Sequence, residues 1–473
     1  MPVTPKVAQN ILIIGGGLSG SLLAIQLLRL PGARRLRIIE RRSELGRGEA
    51  YSASELGHTL NGNAARMSVE PDDPNDLTEW LEGWLGQGGW PQAHGQAVPT
   101  AELFVPRGYF GDYVRQRLAE AVAQGAGQGS TLEHVRADAV DVRCSAEGVE
   151  VDLADRRTLT ADLAVLATGM YAAARTAQQS TSGLNQVAID PWDVAAMADL
   201  PTDARVLIIG SGLTMVDALV SLDQAGHRGP IEVYSRHGLL PHVRRQPPAW
   251  PDFLAAAPAL ATPLQLSRAL RAQCRLAQAA GIDWQAPLDT VRVHIGRLWS
   301  QASERHKRQF VRHLRPWWES HHHRSPPQGA ALIERLLGGG RLHVQAGAYR
   351  GLSAKQGTGV AIDVQLRGHC QVCRREGHAL INSSGIEYDW RRVRQPLPQQ
   401  LLARGLVQPG PLALGVLADT HGALIGSDGR ASHRLFALGP PLRGMWWEST
   451  AVTDVALQAK ALARHLLRLD HDE

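Results

Sequence analysis

The chain has 473 residues, enough for about three average domains, and 44% of them are apolar while 20% are charged. This composition excludes a collagen, an intrinsically disordered polar chain and a polytopic membrane protein. Fifty basic and 45 acidic residues leave a formal charge of +5, too small a surplus over this length to predict nucleic-acid binding, although an anionic small ligand remains compatible.

The cysteine content and the N-terminal region both predict a cytoplasmic protein. The chain has too few cysteines for a disulfide framework, which points to a reducing compartment: Cys144, Cys274, Cys370 and Cys373. Glycines interrupt the apolar stretch of residues 11–28 before it reaches a membrane-spanning length. We therefore expect neither a signal peptide nor a transmembrane helix, and no contact with a membrane.

The first predicted elements form a βαβ unit. Asn10-Ile-Leu-Ile-Ile-Gly15 has the β-branched apolar run of a buried parallel strand. A helix is predicted over Ser19–Arg29 and a second strand over Leu36–Glu40.

The turn of this unit carries the dinucleotide fingerprint Gly15-x-Gly17-x-x-Gly20. Its glycines allow a tight turn, backbone approach to a diphosphate and close packing of helix on strand, and the following helix N-terminus favours an anion. Glu40, about 20 residues further on, is suited to accept hydrogen bonds from a free ribose diol, as in FAD or NAD. The predicted residues of this site are Gly15, Gly17, Leu18, Ser19, Gly20, Glu40 and Arg41.

A second βαβ start follows a Trp- and Gly-rich stretch at residues 80–100 and a predicted strand at Asp162–Gly169. It opens at Ala204 with Gly210-x-Gly212-x-x-Met215 and closes with Ile231–Arg236, and here Ser235 and Arg236 stand where an acid would. Serine and arginine can hold a 2′-phosphate that a carboxylate would repel, so NADPH is predicted in preference to NADH. The alternative is that Arg236 is a solvated strand-end residue. The predicted residues are Gly210, Gly212, Leu213, Thr214, Ser235 and Arg236.

Residues 247–327 are predicted to form a helical insertion that ends in the basic, His-rich run Arg305–Arg324. This run could steer an anionic cofactor or substrate, or it could be a solvated helix surface with Trp317 and Trp318 in a core or interface. No metal site is predicted, although His369-Cys370-x-x-Cys373 and His378 offer zinc-ligand types, because no second CxxC follows.

The chain is predicted to end with a strand at Ala379–Gly385, another at Arg434–Pro440 and a helix running to about Leu469. We therefore expect the α/β class, with two Rossmann-like, doubly wound dinucleotide-binding domains and a mainly helical insertion. The predicted domains are an FAD-binding domain of residues 1–200 and 379–473, and an NAD(P)H-binding domain of residues 201–378.

Beyond the two glycine turns, several phrases resemble a known family. They are Ala167-Thr-Gly169, Ser383-Ser-Gly385, Gly46–Ser52, His58–Asn61, Ala65–Ser68, Pro71–Pro74, Phe104–Arg107, Arg315–Trp318, Arg324–Pro326 and Trp447–Ala451. The chain resembles the two-dinucleotide-binding-domain flavoproteins, more narrowly a bacterial group of FAD/NAD(P)-binding oxidoreductases related to the flavin-dependent N-hydroxylating monooxygenases. The resemblance implies FAD in the first domain and a nicotinamide in the second. It places Thr168, Gly169, Gly439, Thr450 and residues Asn61 to Met67 near the flavin.

Two motifs of related flavoproteins are missing. The F-x-G-x-x-x-H motif of Baeyer-Villiger and flavin-containing monooxygenases has only Phe110-Gly111 as its nearest counterpart, which disfavours ketone oxygenation. No CxxC follows the first βαβ unit, which disfavours dithiol chemistry at the flavin.

The resemblance implies an FAD-dependent, NADPH-consuming oxidoreductase, most simply a single-component monooxygenase. Such an enzyme uses a C4a-peroxyflavin and molecular oxygen on a small nucleophilic substrate such as an amine or amino acid. The alternatives are an NAD(P)H-linked flavin reductase or oxidase without oxygen insertion, and a non-catalytic redox-sensing flavoprotein. No side chain is assigned as a catalytic acid or base, and neither the substrate nor the oligomeric state follows from the sequence.

Overall fold

The computed structural model describes residues 9–91, 93, 98–172, 187–255, 262–353 and 358–469. Parts of the Trp- and Gly-rich stretch and of the predicted insertion, at 92, 94–97 and 256–261, lie outside the described residues. The described residues form two compact units. The first comes from segments 1–54, 62–171 and 387–473, and the second from segments 55–61 and 172–386.

The strands are numbered in chain order. They are β1 Gln9–Ile14, β2 Arg34–Ile39, β3 Thr131–Val135, β4 Ala139–Cys144, β5 Val149–Leu153, β6 Thr158–Ala161, β7 Leu163–Leu166, β8 Tyr171–Ala172, β9 Val206–Ile209, β10 Ile231–Ser235, β11 Leu342–Ser353, β12 Val360–Leu366, β13 Val372–Gly377, β14 Ala379–Asn382, β15 Ile386–Glu387, β16 Ala423–Ile425 and β17 Ala431–Ala437.

The helices alternate with these strands. The α-helices span Leu18–Arg29, Asp76–Gly86, Arg107–Ala126, Val194–Ala198, Leu213–Gln224, Pro263–Ala279, Gln285–Arg292, Ile295–Gln301, Glu304–Gln309, Arg315–His322, Pro327–Gly338, Pro396–Ala403 and Val452–Leu469, with a π-helix at Phe310–Leu314.

The sheet of the first unit has the strand order β16-β17-β7-β1-β2-β3. The pairs from β17 to β3 are parallel, and only the edge strand β16 is antiparallel to its neighbour. The chain therefore starts in the middle of the sheet and winds to both sides, which is the dinucleotide-binding topology. The central strand β1 is fully buried at Ile11, Leu12 and Ile13, as the continuous apolar run predicts.

Two other elements complete this unit. The helix Leu18–Arg29 packs between Arg107–Ala126 and Val452–Leu469. Strands β4, β5 and β6 form a separate antiparallel sheet, against which the helix Pro396–Ala403 packs. Residues of the extra sheet, such as Val142 and Val151, join the same hydrophobic core as Leu12 and Leu166 of the main sheet.

The sheet of the second unit has the order β13-β12-β11-β10-β9-β14. Strands β11, β10, β9 and β14 are parallel and repeat the central arrangement of the first unit. The long strand β11 then continues beyond Ala346 as the first strand of an antiparallel β11-β12-β13 extension. Between β10 and β11 the chain inserts the helices from Pro263 to His322.

The predicted α/β class, with two doubly wound units and a mainly helical insertion, is confirmed. The predicted domain boundaries at 200 and 378 differ from the packing of the described residues. Met197 lies in the core of the second unit, and β14 pairs with β9 rather than with a strand of the first sheet. The reason is that β14 contributes the parallel strand on the far side of β9, which local patterns cannot assign to one sheet or the other.

Candidate functional site

The glycine turn of the first unit lies where its sheet changes winding direction. Strand β1 ends beside β7, and the chain turns at Gly15 next to Ala167. A Cβ atom on Gly15 would overlap the carbonyl oxygen of Ala167, and a Cβ on Gly20 would overlap that of Gly15. Glycine at both positions therefore lets the helix begin directly above the strand ends, the usual place for a ligand in this topology.

The helix Leu18–Arg29 begins without a side-chain cap. Its N-cap residue, Gly17, makes no side-chain hydrogen bond, so the amide groups of the first turn are free to bind an anion. Among the described residues, only backbone atoms of Gly48 come within 4 Å of a Cβ built on Gly17. Backbone alone thus borders Gly17 itself. Leu18 is half-buried and Ser19 is buried at the start of the helix.

The carboxylate of Glu40 lies against the same turn. Its Oε2 accepts a hydrogen bond from the amide of Gly16 at 3.0 Å, and its Oε1 accepts one from the amide of Arg42 at 3.0 Å. Each carboxylate oxygen keeps a further acceptor site, which a ribose hydroxyl can use. The side chain of Arg41 is exposed at the end of β2.

A second loop closes on the glycine turn, and spacing alone did not assign it a role. The amide of Gly46 donates to the carbonyl of Gly16 at 2.8 Å. Arg47 anchors this loop by donating to the carbonyl of Gly108 at 2.9 Å and by an ion pair with Asp112. The two glycines around Arg47 were the sequence signal for this contact, because a side chain on Gly48 would collide with Gly17.

Gly439 brings the C-terminal turn onto the first helix. It adopts φ 77°, and a Cβ there would lie 2.5 Å from the Oγ of Ser19. The carbonyl oxygen of Ser449 is 3.8 Å from the same Cβ position. The predicted residues Gly439 and Ser19 are therefore neighbours, and Thr450 follows one position beyond this contact.

Arg443, which the sequence analysis did not name, contacts the predicted residue Thr450. It is only 2% exposed, and its Nη1 donates to Oγ1 of Thr450 at 2.7 Å. Its guanidinium carbon lies 4.6 Å from the ring centre of Trp447, within cation–π distance. Arg443 thus fixes Thr450, while the threonine hydroxyl keeps its own proton to donate.

Of the remaining residues predicted near a flavin, Thr168 and Gly169 follow β7 and are half-buried at the carboxyl end of the sheet. Met67 ends a short 3₁₀ turn of the first unit. Asn61 instead belongs to the second unit, where its carbonyl accepts a hydrogen bond from Nε of Arg244 at 2.5 Å.

Two features of the first unit suit an adenine dinucleotide: its glycine turn and several buried polar groups without a hydrogen-bond partner. In the described chain, the buried Oγ of Ser449 and the Oδ1 of Asn63 have no hydrogen-bond partner. Such groups are costly unless a ligand or water satisfies them. Together with the uncapped helix and the Glu40 carboxylate, they could hold an FAD molecule.

The second unit repeats the turn with more open space. A Cβ on Gly210 would overlap the carbonyl of Ser383, so this glycine is fixed by close packing. Gly212 caps the helix Leu213–Gln224 without a side-chain hydrogen bond, and in the described structure nothing lies within 4 Å of its Cβ position. Leu213 and Thr214 are half-buried in the first helical turn. Met215, which occupies the position of the third glycine of the fingerprint, is fully buried in the core of this unit.

Ser235 organises the turn that follows β10. Its Oγ accepts a hydrogen bond from the amide of Gly238 at 3.0 Å and lies 2.8 Å from the Oγ of Ser211. The Ser211 hydroxyl also lies 2.6 Å from the carbonyl of Leu239, which only a donor can approach so closely. The consistent assignment is that Ser211 donates to Leu239 and Ser235 donates to Ser211. The hydroxyl proton of Ser235 is therefore used within the turn.

Beyond this turn Arg367 contacts His237, the chain neighbour of Arg236, and we call Arg236, His237 and Arg367 the basic cluster. Arg236 and Arg367 are exposed, and Nη1 of Arg367 lies 3.3 Å from Nδ1 of His237. Burial, together with the charges of Arg367 and Arg236, lowers the pKa of His237. Within the described part of the chain, neither arginine forms an ion pair with a carboxylate. The sequence analysis named only Arg236.

The described residues carry neither a cluster suited to a metal ion nor a membrane-spanning helix. No group of three or more His, Cys, Asp or Glu side chains there could hold a metal ion. Cys370 and Cys373 lie in the hairpin of β12 and β13, and all four cysteines are free thiols. In the same part of the chain, no helix combines the length and apolar character needed to cross a membrane.

Comparison with known proteins agrees with this geometry. Residues 12–171 match a protein-family model described as FAD-NAD(P)-binding. Comparison with curated protein sequences gives no match. The cadaverine monooxygenase of desferrioxamine biosynthesis from Erwinia amylovora, solved with bound FAD, has a TM-score of 0.65 at 11% identity, over 99% of this chain and 95% of that one.

Two further solved structures resemble the chain over nearly its whole length. The ornithine N-hydroxylase of Kutzneria sp. 744, solved with reduced FAD, NADP⁺ and L-ornithine, has a TM-score of 0.64 at 14% identity, covering 98% of this chain and 99% of that one. The L-lysine 6-monooxygenase of Pseudomonas syringae has a TM-score of 0.62 at 14% identity, with the same coverage. The chain therefore has the two-dinucleotide-binding-domain flavoprotein fold.

Proposed function

We propose that this protein is an FAD-dependent, NADPH-consuming monooxygenase that acts on the nitrogen of a small amine or amino acid. One contrast carries the proposal. Each of the two units has a helix without a side-chain cap directly after its glycine turn. In the first unit the residue that follows β2 is Glu40, whereas in the second unit the residue that follows β10 is Arg236. An acid suits the free ribose of FAD, whereas a cation suits the 2′-phosphate of NADPH.

In the first unit, the residues proposed to hold FAD act mainly through the backbone. The amides after Gly17 receive the diphosphate, and Glu40 accepts the ribose hydroxyls. Thr450, held by Arg443, and the buried hydroxyl of Ser449 supply polar groups on the C-terminal side. When bound, FAD supplies hydride acceptance from reduced nicotinamide and the activation of molecular oxygen.

In the second unit, the residues proposed to hold NADPH follow the same logic. Gly212 leaves the helix N-terminus open to the diphosphate. Arg236 stands at the end of β10, and Ser235 shapes the turn that presents it. The residues with buried hydroxyls after β14, Ser383 and Ser384, are further candidates because their Oγ atoms have no partner in the described chain.

The substrate class is the finer part of the proposal. The solved structures that resemble the chain are described as acting on ornithine, lysine and cadaverine, all of which carry a primary amine. Their low identity supports the class of substrate rather than any one member. We further propose a cytoplasmic protein that requires molecular oxygen and a small-molecule substrate, and the free state of its cysteines supports that compartment.

The test begins with cofactor binding. The full chain is purified, its flavin content is measured by visible absorption before and after incubation with FAD, and oxidation of NADPH and NADH is followed. Products of a panel of diamines and amino acids are analysed by mass spectrometry under ¹⁸O₂. The proposal expects bound FAD, preference for NADPH and one labelled oxygen atom in an amine product.

Each other outcome identifies a competing function. Anaerobic turnover with an organic electron acceptor and no labelled product would make the protein a flavin reductase or oxidase. Bound FAD without any turnover would indicate a redox-sensing flavoprotein. Protein that does not take up FAD in excess would reject the proposal as a whole.

A further inference from the structure

The basic cluster of the second unit is assembled from distant parts of the sequence. Arg236 and His237 follow β10, whereas Arg367 comes from the turn between β12 and β13. Gly238 follows β10 with φ 63°, and a Cβ atom built on it would lie 3.1 Å from the amide nitrogen of Ala346. The turn after β10 therefore packs against β11. The β11-β12-β13 extension then carries Arg367 back to His237. Arg367 therefore reaches the turn that carries Arg236 and His237, because the extension runs back along β11 and the amide of Arg367 donates to the carbonyl of Ala346.

This convergence creates positive charge without internal compensation. Both arginines are exposed, and within the described chain they pair with no carboxylate. Burial and the two arginines lower the pKa of His237, which is the expected response of an imidazole held among cations. An arrangement of like charges in a folded protein favours a dianionic group between them.

Trp317 stands next to the cluster. Its ring centre lies 6.4 Å from that of His237, and its side chain is 47% exposed. The adjacent Trp318 differs, since it stacks on His322 at 4.8 Å and contacts Phe310. The π-helix Phe310–Leu314 ends three residues before Trp317. One indole is therefore built into the insertion, and the other offers a flat apolar face beside the cations.

We propose that the basic cluster binds the 2′-phosphate of NADPH and that Trp317 stacks on its adenine. This inference rests on the proposed function for the identity of the ligand and assigns a role to the helical insertion and to the β12–β13 turn. A dianionic phosphate and an aromatic base are the two ends of an adenosine 2′-phosphate. The cluster and the exposed indole supply one partner for each.

The experiment measures binding of adenosine 2′,5′-bisphosphate and of 5′-AMP to the full chain by isothermal titration calorimetry. Neither probe needs a flavin or turnover. Arg236→Ala and Arg367→Ala should each weaken bisphosphate binding about 10- to 100-fold and leave 5′-AMP nearly unchanged. Trp317→Ala should weaken both probes about tenfold, and Trp317→Phe should restore part of that loss. Arg312→Ala removes an exposed cation from the same basic segment and should change neither probe.

The outcomes separate this inference from the proposed function. Equal affinity of the native protein for the two probes, or unchanged affinity in both arginine variants, overturns the assignment of the basic cluster. Loss of affinity in Arg312→Ala equal to that in Arg367→Ala also overturns it, because general charge would then suffice. If the bisphosphate binds as expected but the FAD-loaded protein does not oxidise NADPH, this inference stands and the proposed function fails.

Discussion

The carboxylate of Glu40 accepts a hydrogen bond from the amide of Gly16, with 3.0 Å between Oε2 and the amide nitrogen. The acid at the end of β2 therefore does two things, since it orders the glycine turn and presents further acceptor sites above it. An amide side chain can keep the contact with Gly16 through its oxygen, but its NH2 group cannot accept the hydrogen bond that Oε1 receives from the amide of Arg42. It also offers a ribose one neutral acceptor atom instead of two charged ones.

Glu40→Gln should therefore separate folding from flavin binding. We expect FAD affinity to fall by about 1.5–3 kcal/mol, the usual contribution of hydrogen bonds to a charged group, while loss of the Arg42 contact lowers the unfolding free energy of the apoprotein by only about 0.5–1.5 kcal/mol. Fluorescence titration of the apoprotein with FAD measures the affinity. Glu147→Gln, at an exposed acid of the same unit, is the control. Unaltered FAD affinity in Glu40→Gln would show that the Glu40 carboxylate does not bind the ribose.

Gly439→Ala should destabilise the first unit more than Gly169→Ala. Both glycines adopt left-handed backbone conformations, with φ 77° and φ 68°, so each alanine carries a cost of about 1–2 kcal/mol. Only at Gly439 would the new Cβ also collide with Ser19, and overpacking adds about 1–3 kcal/mol. The free energy of unfolding in urea measures the difference. A second change, Ser19→Ala, should recover part of the extra loss, and equal losses in the two single variants would contradict the contact.

Gly212→Ala should weaken nicotinamide binding without unfolding the protein. Its φ of −86° suits alanine, and in the described structure nothing lies within 4 Å of the new Cβ, so the stability cost should stay below about 1 kcal/mol. The methyl group would instead stand where a diphosphate approaches the helix. We expect the Kd for NADP⁺ to rise roughly tenfold or more, which corresponds to about 1.4 kcal/mol. Gly296→Ala, in an open helical position, is the matched control, and an unchanged Kd in Gly212→Ala would refute the open turn as the diphosphate site.

Arg324→Ala should unfold the helical insertion at lower denaturant concentration. Arg324 is 1% exposed, donates to Gln285 at 2.8 Å and pairs with Asp289 at 2.5 Å. Arg324→Ala leaves Gln285 and the partly exposed Asp289 without these hydrogen bonds, which costs about 1–3 kcal/mol. Arg308→Ala breaks only an exposed pair with Glu304 and should cost less than about 1 kcal/mol. Similar unfolding midpoints for the two variants would show that the contacts of Arg324 with Gln285 and Asp289 do not support the insertion.

Cys144 should react with iodoacetamide far more slowly than Cys370 at pH 8. Burial raises the pKa of the Cys144 thiol to about 11, whereas Cys370 is exposed. A thiol with that pKa is only about 0.1% thiolate at pH 8, and its reaction rate should rise about tenfold per pH unit until the pH nears 11. Peptide mass spectrometry after timed alkylation measures both residues. Equal labelling at pH 8 would contradict the burial of Cys144.

Local patterns were sufficient for the parts of the fold that depend on neighbours in the sequence. The run before Gly15 predicts a buried strand, and β1 occupies Gln9–Ile14. The second glycine-rich βαβ start, from Ala204 to Met215, predicts β9 and the helix after Gly212, and both are present. The helical character of the insertion is likewise confirmed. These elements follow from apolar runs and turn residues, which act over a few positions.

Local patterns could not assign the contacts between distant segments. The phrase Ala379–Gly385 predicts a strand, but whether it joins the first or the second sheet depends on pairing with β9. Ser235 was predicted to face a phosphate, yet its hydroxyl is used by Ser211 and Gly238. The role of Arg443 had no signal, because its partners become neighbours only after the C-terminal turn folds.

The amino-acid sequence by itself determined that two glycine turns precede helices, that one is followed by Glu40 and the other by Arg236, and that a helical segment interrupts the second unit. Tertiary structure alone decided that Gly439 touches Ser19 and that Arg367 and Trp317 stand beside His237. The physical reason is that helix and strand formation depends on nearby residues, whereas the neighbours of a side chain depend on the order in which strands pair across the sheet.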